Sequence, residues 1–349
     1  MTTIRDVAKA AGVSTATVSA VVNDSAYVSP ELRARVTAAI GALDYAPSSA
    51  ARGLKHGRSQ LIALVVADLA NPFFNRVVVA AEAAVGAWGY SLVVFNSDEK
   101  LEAERRIIER VRSLSCDGMI LVPVGDPSLY AGRAGASDVR RLPTLLFGRT
   151  VEGIRHDSVT LDNASAGRQA AGYLLDIGHR RIGSITGPLH LTTAKERLEG
   201  MLQAMHARGV VAPMPEHLRS GEFREDAAYS AARHMLERAD RPSALYVANG
   251  LMALGVMRAL ADLGLRCPDD ISIASTDTIP GIGGLRPRLT RTEHPLGDMT
   301  AEAVRLLADR IARGTELPPR NVIFQPALIV GESCAPAWPE GSEFTSAAG

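Results

Sequence analysis

The sequence predicts a small all-α head followed by an α/β body with two parallel sheets. Three observations predict it. Apolar residues recur at helical spacing through the first 43 positions. From residue 61 onward, short continuous apolar runs alternate with helical stretches. The body holds about 280 residues, which suits two such sheets better than one.

In the head, Ile4, Val7, Ala8 and Ala11 share one face of residues 4–11, and Thr3 with Asp6 can form a capping box at the start. Gly12 breaks this helix and Ser14 can cap the next. In residues 15–22, Val18, Val21 and Val22 face inward, leaving Thr15, Ala16, Ser19 and Ala20 on the other face. Ser29-Pro30 supplies a cap and a first-turn proline for a third helix running to about Leu43. Its inward positions are Leu32, Val36, Ala39, Ile40 and Leu43. Residues 46–58 are small and polar, and read as a linker with one short helical stretch at 49–55.

In the body, LIALVVA, YSLVVFN, GMILVPV, PTLLFG, RIGSITG, ALYVAN and ISIAST read as strands covered on both faces. Helical stretches lie between them at 74–88, 102–113, 164–177, 194–207, 226–239 and 250–263. ARGTELPPR, residues 312–320, is a turn before a last strand. Residues 336–349 are read as a disordered tail.

Composition narrows the function. Hydrophobic residues make up 46% and charged residues 22%, an ordinary soluble balance. Lys+Arg and Asp+Glu number 38 each, but residues 1–58 hold seven bases against four acids. A basic head on a slightly acidic body suits contact with a polyphosphate at one end. Cys116, Cys267 and Cys334 lie far apart, so neither a disulfide framework nor a zinc site is expected. The charged start MTTIRDVAKAAG is unlike a signal peptide, and no apolar run approaches a membrane span. A cytoplasmic protein without membrane contact is expected. There is no GxxxxGK[ST], HExxH or GxSxG, so no enzyme, catalytic residue, metal or cofactor is expected.

Two short helices joined by AGVS, the second with a small polar outer face, match a helix-turn-helix. The pattern alone leaves open a three-helix bundle that merely packs on the rest. The wording goes further. TIRDVAKAAGVSTATVSAVVN, YVSPELRARV and LDYAPSSAARGLK resemble the lactose/galactose repressor (LacI/GalR) family of bacterial transcription regulators across residues 2–58. The resemblance implies a DNA-binding domain at 1–46, with residues 15–22 in the major groove. Thr15, Ala16 and Ala20 then fall at base-reading positions, and Thr17, Ser19, Asn23 and Tyr27 at positions near phosphates. It implies a hinge within 47–58 that pairs with its copy in the minor groove through Ala51 and Leu54, with Leu54 as an unstacking wedge. Many relatives carry arginine where Ala20 stands, so direct readout is thinned at that step.

Residues 59–335 resemble the same family through ADLANPFF, LDNASAGRQAAGYLLDIGHRRIGSITGP, AKERLEGMLQAM and ANGLMALGVMRAL. The implied architecture is of the type I periplasmic-binding-protein kind. Two Rossmann-like subdomains, 59–161 with 293–322 and 162–292 with 323–335, are joined by three crossovers with an effector between them. The implied effector-binding residues are Asn71, Phe73, Phe74, Arg197, Phe223, Asn249, Asp277 and His294. Taken singly, any of them can instead be a cap or a surface ion pair, His294 more readily than Arg197 or Asp277. Where relatives often carry acids, this chain has Gly250 and Thr278, so a less acidic cleft is expected. A purine-binding member carries arginine where Leu191 stands, which points away from a purine. The implied function is a homodimeric repressor of a near-palindromic operator, answering to a small molecule, with a sugar or sugar derivative favoured. The alternative is a solute-binding sensor without operator binding. Pro336 and Pro339 with no heptads beyond Gly331 favour a dimer over a tetramer.

Overall fold

Capping and small-residue packing organise the head. The computed structural model describes residues 2–45, 58–125, 127–130, 142–277, 286–314 and 318–337. They fall into two compact units on either side of the Gln60/Leu61 junction. The head has helices α1 (Ile4–Ala11), α2 (Thr15–Asn23) and α3 (Pro30–Ala42). Thr3 and Asp6 form the capping box, with the Thr3 N–H donating to Asp6 Oδ2 at 2.9 Å. These bonds also lower the Asp6 carboxyl below its usual value. Gly12 stops α1 in the left-handed region at φ 64°, which Gly tolerates at little cost. Ser14 caps α2 by accepting from the Thr17 N–H at 3.1 Å, and Ser29 caps α3. Val7, Ala8, Ala11, Val18, Val36 and Ala39 form the core, with Val21 and Val22 partly buried against it.

The body alternates strand and helix throughout. The strands are β1 (Leu61–Val66), β2 (Ser91–Asn96), β3 (Gly118–Leu121), β4 (Thr144–Phe147), β5 (Asp157–Leu161), β6 (Ile182–Thr186), β7 (Leu218–Ser220), β8 (Ala244–Val247), β9 (Ser272–Thr276), β10 (Thr290–Glu293), β11 (Asn321–Phe324) and β12 (Ala327–Ile329). The helices are α4 (Pro72–Gly86), α5 (Leu101–Ser113), α6 (Pro127–Tyr130), α7 (Asn163–Asp176), α8 (Thr192–Ala207), α9 (Glu225–Leu236), α10 (Gly250–Asp262) and α11 (Leu296–Arg313). One sheet has the order β11-β5-β4-β3-β1-β2 and is parallel throughout. The other has the order β12-β10-β9-β8-β6-β7 and is parallel except where β12 pairs antiparallel with β10. Helices cover both faces, so strands such as LIALVV are buried almost end to end.

The chain passes between the sheets three times, after β5, after β10 and after β11. Strand β11 reaches Phe324, two residues past the expected boundary at 322, because its ladder with β5 runs through Phe324 opposite Leu161. Two residues of the expected tail are ordered. Pro336 and Ala337 are placed, and the Ala337 N–H donates to Ile177 O at 2.9 Å.

Several elements escape the apolar-run reading because their inward positions are polar. Strand β5 opens on Asp157, wholly buried and held by Arg310 at 2.6 Å and by the Arg320 N–H at 2.8 Å. Strand β10 buries Thr290 and Thr292, and the Thr292 hydroxyl meets Thr276 Oγ1 at 3.3 Å. Helix α11 buries Thr300 and Arg310 within its apolar stripe. The Thr300 hydroxyl donates to Leu296 O at 2.8 Å, satisfying it without a partner from the sheet.

Candidate functional site

On the head, the short side chains of α2 make the accessible face. Thr15 and Ala16 are exposed, and Thr17, Ser19, Ala20 and Asn23 are half-buried. The hydroxyls of Ser14 and Thr17 lie 2.9 Å apart. The Asn23 amide donates to Ser19 O at 2.8 Å and to Ser19 Oγ at 3.2 Å. Tyr27, beyond α2, is 91% exposed. Two of the head's bases are engaged within it: Arg33 pairs with Asp24 at 2.7 Å, and Arg35 donates to Ala11 O at 2.6 Å, closing the end of α1. Ala51 and Leu54 lie outside the described residues.

In the body, one cleft of about 710 Å³, counting the space open at its mouth, lies between the carboxyl ends of the two sets of strands. Asn71, Phe73, Phe74, Arg197, Phe223, Asn249, Asp277 and His294 all line it. Their placement follows from local structure. Asn71 caps α4, accepting from the Phe73 N–H at 3.0 Å. That cap sets Phe73 and Phe74 on the first turn, edge to face at 5.2 Å. Asn249 caps α10 in the same way, accepting from the Met252 N–H at 2.8 Å. Phe223 sits at φ 54° and fills space above Gly187, where a Cβ would come within 2.2 Å of its ring.

Arg197 is held from two sides. It projects from α8, donating to Asn163 Oδ1 at 2.9 Å and to Ala248 O at 2.7 Å. Burial lowers its guanidinium from the ordinary value. Its Nη2 stands 3.5 Å from His294 Nε2. His294 lies on the second crossover, 5.2 Å from the Phe73 ring, and burial, Arg197 and Arg76 push it down to about 3. It is therefore a neutral imidazole near pH 7. An Nε2 facing the arginine acts as acceptor, which leaves the proton on Nδ1. That buried Nδ1 has no hydrogen-bond partner and lies 3.9 Å from Asp277 Oδ1. The buried Thr193 hydroxyl, also in the cleft, has no partner either. Donors and acceptors thus face one small space.

The cleft holds further charges that the sequence reading missed. Asp68, Glu99, Arg149 and Arg224 line it as well. Loops of the first sheet supply Asp68 and Glu99. Both are ion-paired, Glu99 with Arg149 at 2.7 Å and Asp68 with Arg224 at 2.7 Å. The lining acids Asp68, Glu99 and Asp277 balance Arg149, Arg197 and Arg224. Among the described residues, no group of His, Cys, Asp and Glu is placed to hold a metal ion, and no helix is long and apolar enough to cross a membrane. The three cysteines are free thiols.

A helix-turn-helix head joined to a two-sheet cleft of this kind defines a regulator that couples DNA binding to a small ligand. Residues 3–48 match the model for bacterial regulatory proteins of the lacI family, and residues 171–334 match a periplasmic binding protein-like domain. The HTH-type transcriptional repressor PurR of Edwardsiella ictaluri is 33% identical over 336 residues, covering 96% of this chain and 97% of that one. PurR of Serratia proteamaculans is 35% identical over 337 residues, with coverage of 96% and 97%. Among solved structures, the lac repressor dimer bound to operator and the anti-inducer ONPF aligns at TM-score 0.83 and 27% identity, covering 96% of this chain and 99% of that one. The complex of the transcriptional regulator CelR with cellobiose aligns at TM-score 0.69 and 31% identity, with coverage of 95% and 100%. The chain belongs to the LacI family of transcriptional repressors, with a DNA-binding helix-turn-helix and a ligand-binding body.

Proposed function

We propose that this repressor works in the cytoplasm as a homodimer, without catalysis. On this reading it binds a near-palindromic operator through Thr15, Ala16 and Ala20, and its effector is a small uncharged polyhydroxylated ring, a sugar or sugar derivative. The observation that carries the effector reading is the balance of the cleft. Arg149 and Arg224 are each committed to carboxylates, while Arg197, Asp277, Asn249, Thr193 and His294 bring further polar atoms to the cleft wall. Those groups offer donors and acceptors in comparable number with no surplus charge, as hydroxyls require. Phe73 and Phe223 supply flat apolar walls for the faces of a ring. Leu191 is buried in the apolar core beside the cleft, where it offers a purine base no hydrogen bond. The solved CelR complex holds cellobiose, a disaccharide, and the residues here favour that chemistry.

The dimer follows from scale. One head of three short helices offers too little interface for operator-level affinity.

The test is a thermal-shift screen of neutral sugars, nucleobases and sugar phosphates on the full chain, followed by operator titrations with the hit. Arg197→Ala and Asp277→Ala should each weaken effector binding by at least about 100-fold, since a site built on polar bonds loses them outright. Operator binding without effector should stay within about twofold. A sugar phosphate as the strongest hit, or full effector affinity in both variants, overturns the reading.

A further inference from the structure

We propose that Arg224 clasps the two subdomains together and so sets what fraction of the molecules is ready to receive the effector. Arg224 belongs to the second-sheet half of the body, just before α9. Its Nη1 donates to Asp68 Oδ2 at 2.7 Å and its Nη2 to Asp98 Oδ1 at 2.7 Å. Both acids belong to the first-sheet half, Asp68 just after β1 and Asp98 just after β2. One planar guanidinium thus spans two carboxylates across the cleft, the geometry in which arginine outperforms lysine.

Both sides of this contact are built with backbone strain. Glu222 and Phe223 sit at φ 52° and 54°, and Asp98 and Glu99 at φ 53° and 56°, all non-glycine residues in the left-handed region. Such conformations cost free energy and persist where surrounding contacts determine them. Here the two strained pairs interlock. Phe223 lies under Arg149, with the guanidinium carbon 5.6 Å from the ring centre, and Glu99 fixes Arg149 by two bonds of 2.8 and 2.7 Å. Asp98 is also held by Lys100 at 2.7 Å. Asp68 is buried and spends its other oxygen on the Ala70 N–H. Without Arg224, Asp68 and Asp98 would remain as two carboxylates on the first-sheet side with no cation reaching them from the other half.

The clasp consists of protein groups alone, so it acts whether or not the cleft is filled. An effector held by residues from both halves binds the closed form. Its apparent dissociation constant is the intrinsic one divided by the closed fraction. Arg224 is therefore a positioning residue that tunes sensitivity. This consequence rests on the cleft being the effector site; the clasp itself does not.

Amide hydrogen exchange on the full chain, with no effector added, tests it. The reporter is the Thr150 N–H, which donates across the seam to Thr192 Oγ1 at 3.3 Å and makes no bond to Arg224. Arg224→Ala should speed exchange at Thr150 about fivefold, the order expected for a partly exposed charge pair. Arg224→Lys should recover part of the protection, and Asp68→Asn with Asp98→Asn should reproduce the loss from the other side. About 1 M salt should move the unmodified protein toward the variant by screening. Acceleration confined to residues 220–225, or none at Thr150, overturns the proposal. Because no effector is present, that result would leave the effector reading standing, and a failed metabolite screen would leave the clasp standing.

Discussion

Glu104 shows how much a single buried carboxyl can organise. It lies wholly buried on α5, accepts from the Val124 N–H at 2.8 Å, and takes a short hydrogen bond from the Tyr130 hydroxyl. It thereby pins the loop after β3, whose Gly125 abuts Leu191 of the other subdomain. Burial pushes the Glu104 carboxyl up from 4.5 to about 7. The sign follows by linkage. Below pH 4.5 both folded and unfolded forms hold the proton. Between about 4.5 and 7 the unfolded chain releases it first, so stability is lost as pH rises and then levels off. The loss is at most on the order of 3 kcal/mol. Glu104→Gln should lack this falling limb, so the urea midpoint should drop less between pH 5 and pH 8 than in the unmodified protein. Equal drops would show that Glu104 does not titrate in this window. In LEAERRIIERVRS the helical spacing puts Glu104, unlike Glu102 or Glu109, on the stripe of Ile108 and Val111; what the spacing does not show is the approach of Val124 and Tyr130. The cleft follows the same rule. Residues at strand ends and helix starts, such as Asn71, Asn249 and Asp277, could be named from the wording of the sequence. Asp68, Glu99, Arg149 and Arg224 could not. Their meaning is a pairing between distant loops, and arginine–acid pairs of the same kind lie on solvated helix faces at Arg233 and Glu237.

At the scale of elements, local rules placed most of what positions the cleft. The caps at Thr3, Ser14 and Ser29 were readable because a cap is a short-range bond between neighbours in the chain. Helix α11 and strands β5 and β10 were not, because Arg310, Asp157, Thr290 and Thr292 interrupt the apolar pattern and are satisfied only by tertiary partners. The crossing of α7 and α8 lies between these cases. A Cβ on Gly200 would come 1.9 Å from Ala164 O, and one on Gly167 would come 1.9 Å from Arg197 O. The two glycines let the helices touch backbone to backbone, and that contact brings Arg197 within reach of Asn163. Gly200→Ala should cost about 1–3 kcal/mol by overpacking. It should also weaken effector binding more than that loss explains, because Arg197 shifts with its helix. Gly86→Ala, at the end of α4 with nothing near its Cβ, is the control and should be neutral or mildly stabilising. Denaturant midpoints and effector titrations of the two variants check this. A Gly200→Ala protein of unchanged midpoint would mean that the helices can separate freely.

The whole molecule joins units of very different size. Among the described residues, the head's buried core is valine and alanine, with Tyr45 only partly buried against it, whereas each subdomain of the body buries strands and helices around a full sheet. A unit of about 45 residues buries a smaller share of its surface and is marginal by itself. The two units should therefore unfold separately. Calorimetry of the full chain should show two transitions, the small head first. A metabolite that occupies the cleft should raise only the larger transition, by about 2.7 kcal/mol at 100 times its dissociation constant, whereas operator DNA should raise the smaller one. If the effector acts on DNA binding, as proposed, reciprocity requires more. With operator already bound, the effector's stabilisation of the body must change by the same factor as its effect on operator affinity. Measuring both shifts alone and together gives that factor and its sign, and so separates an inducer from a corepressor. Shifts that simply add would mean that the cleft and the helix-turn-helix, though carried on one chain, do not communicate.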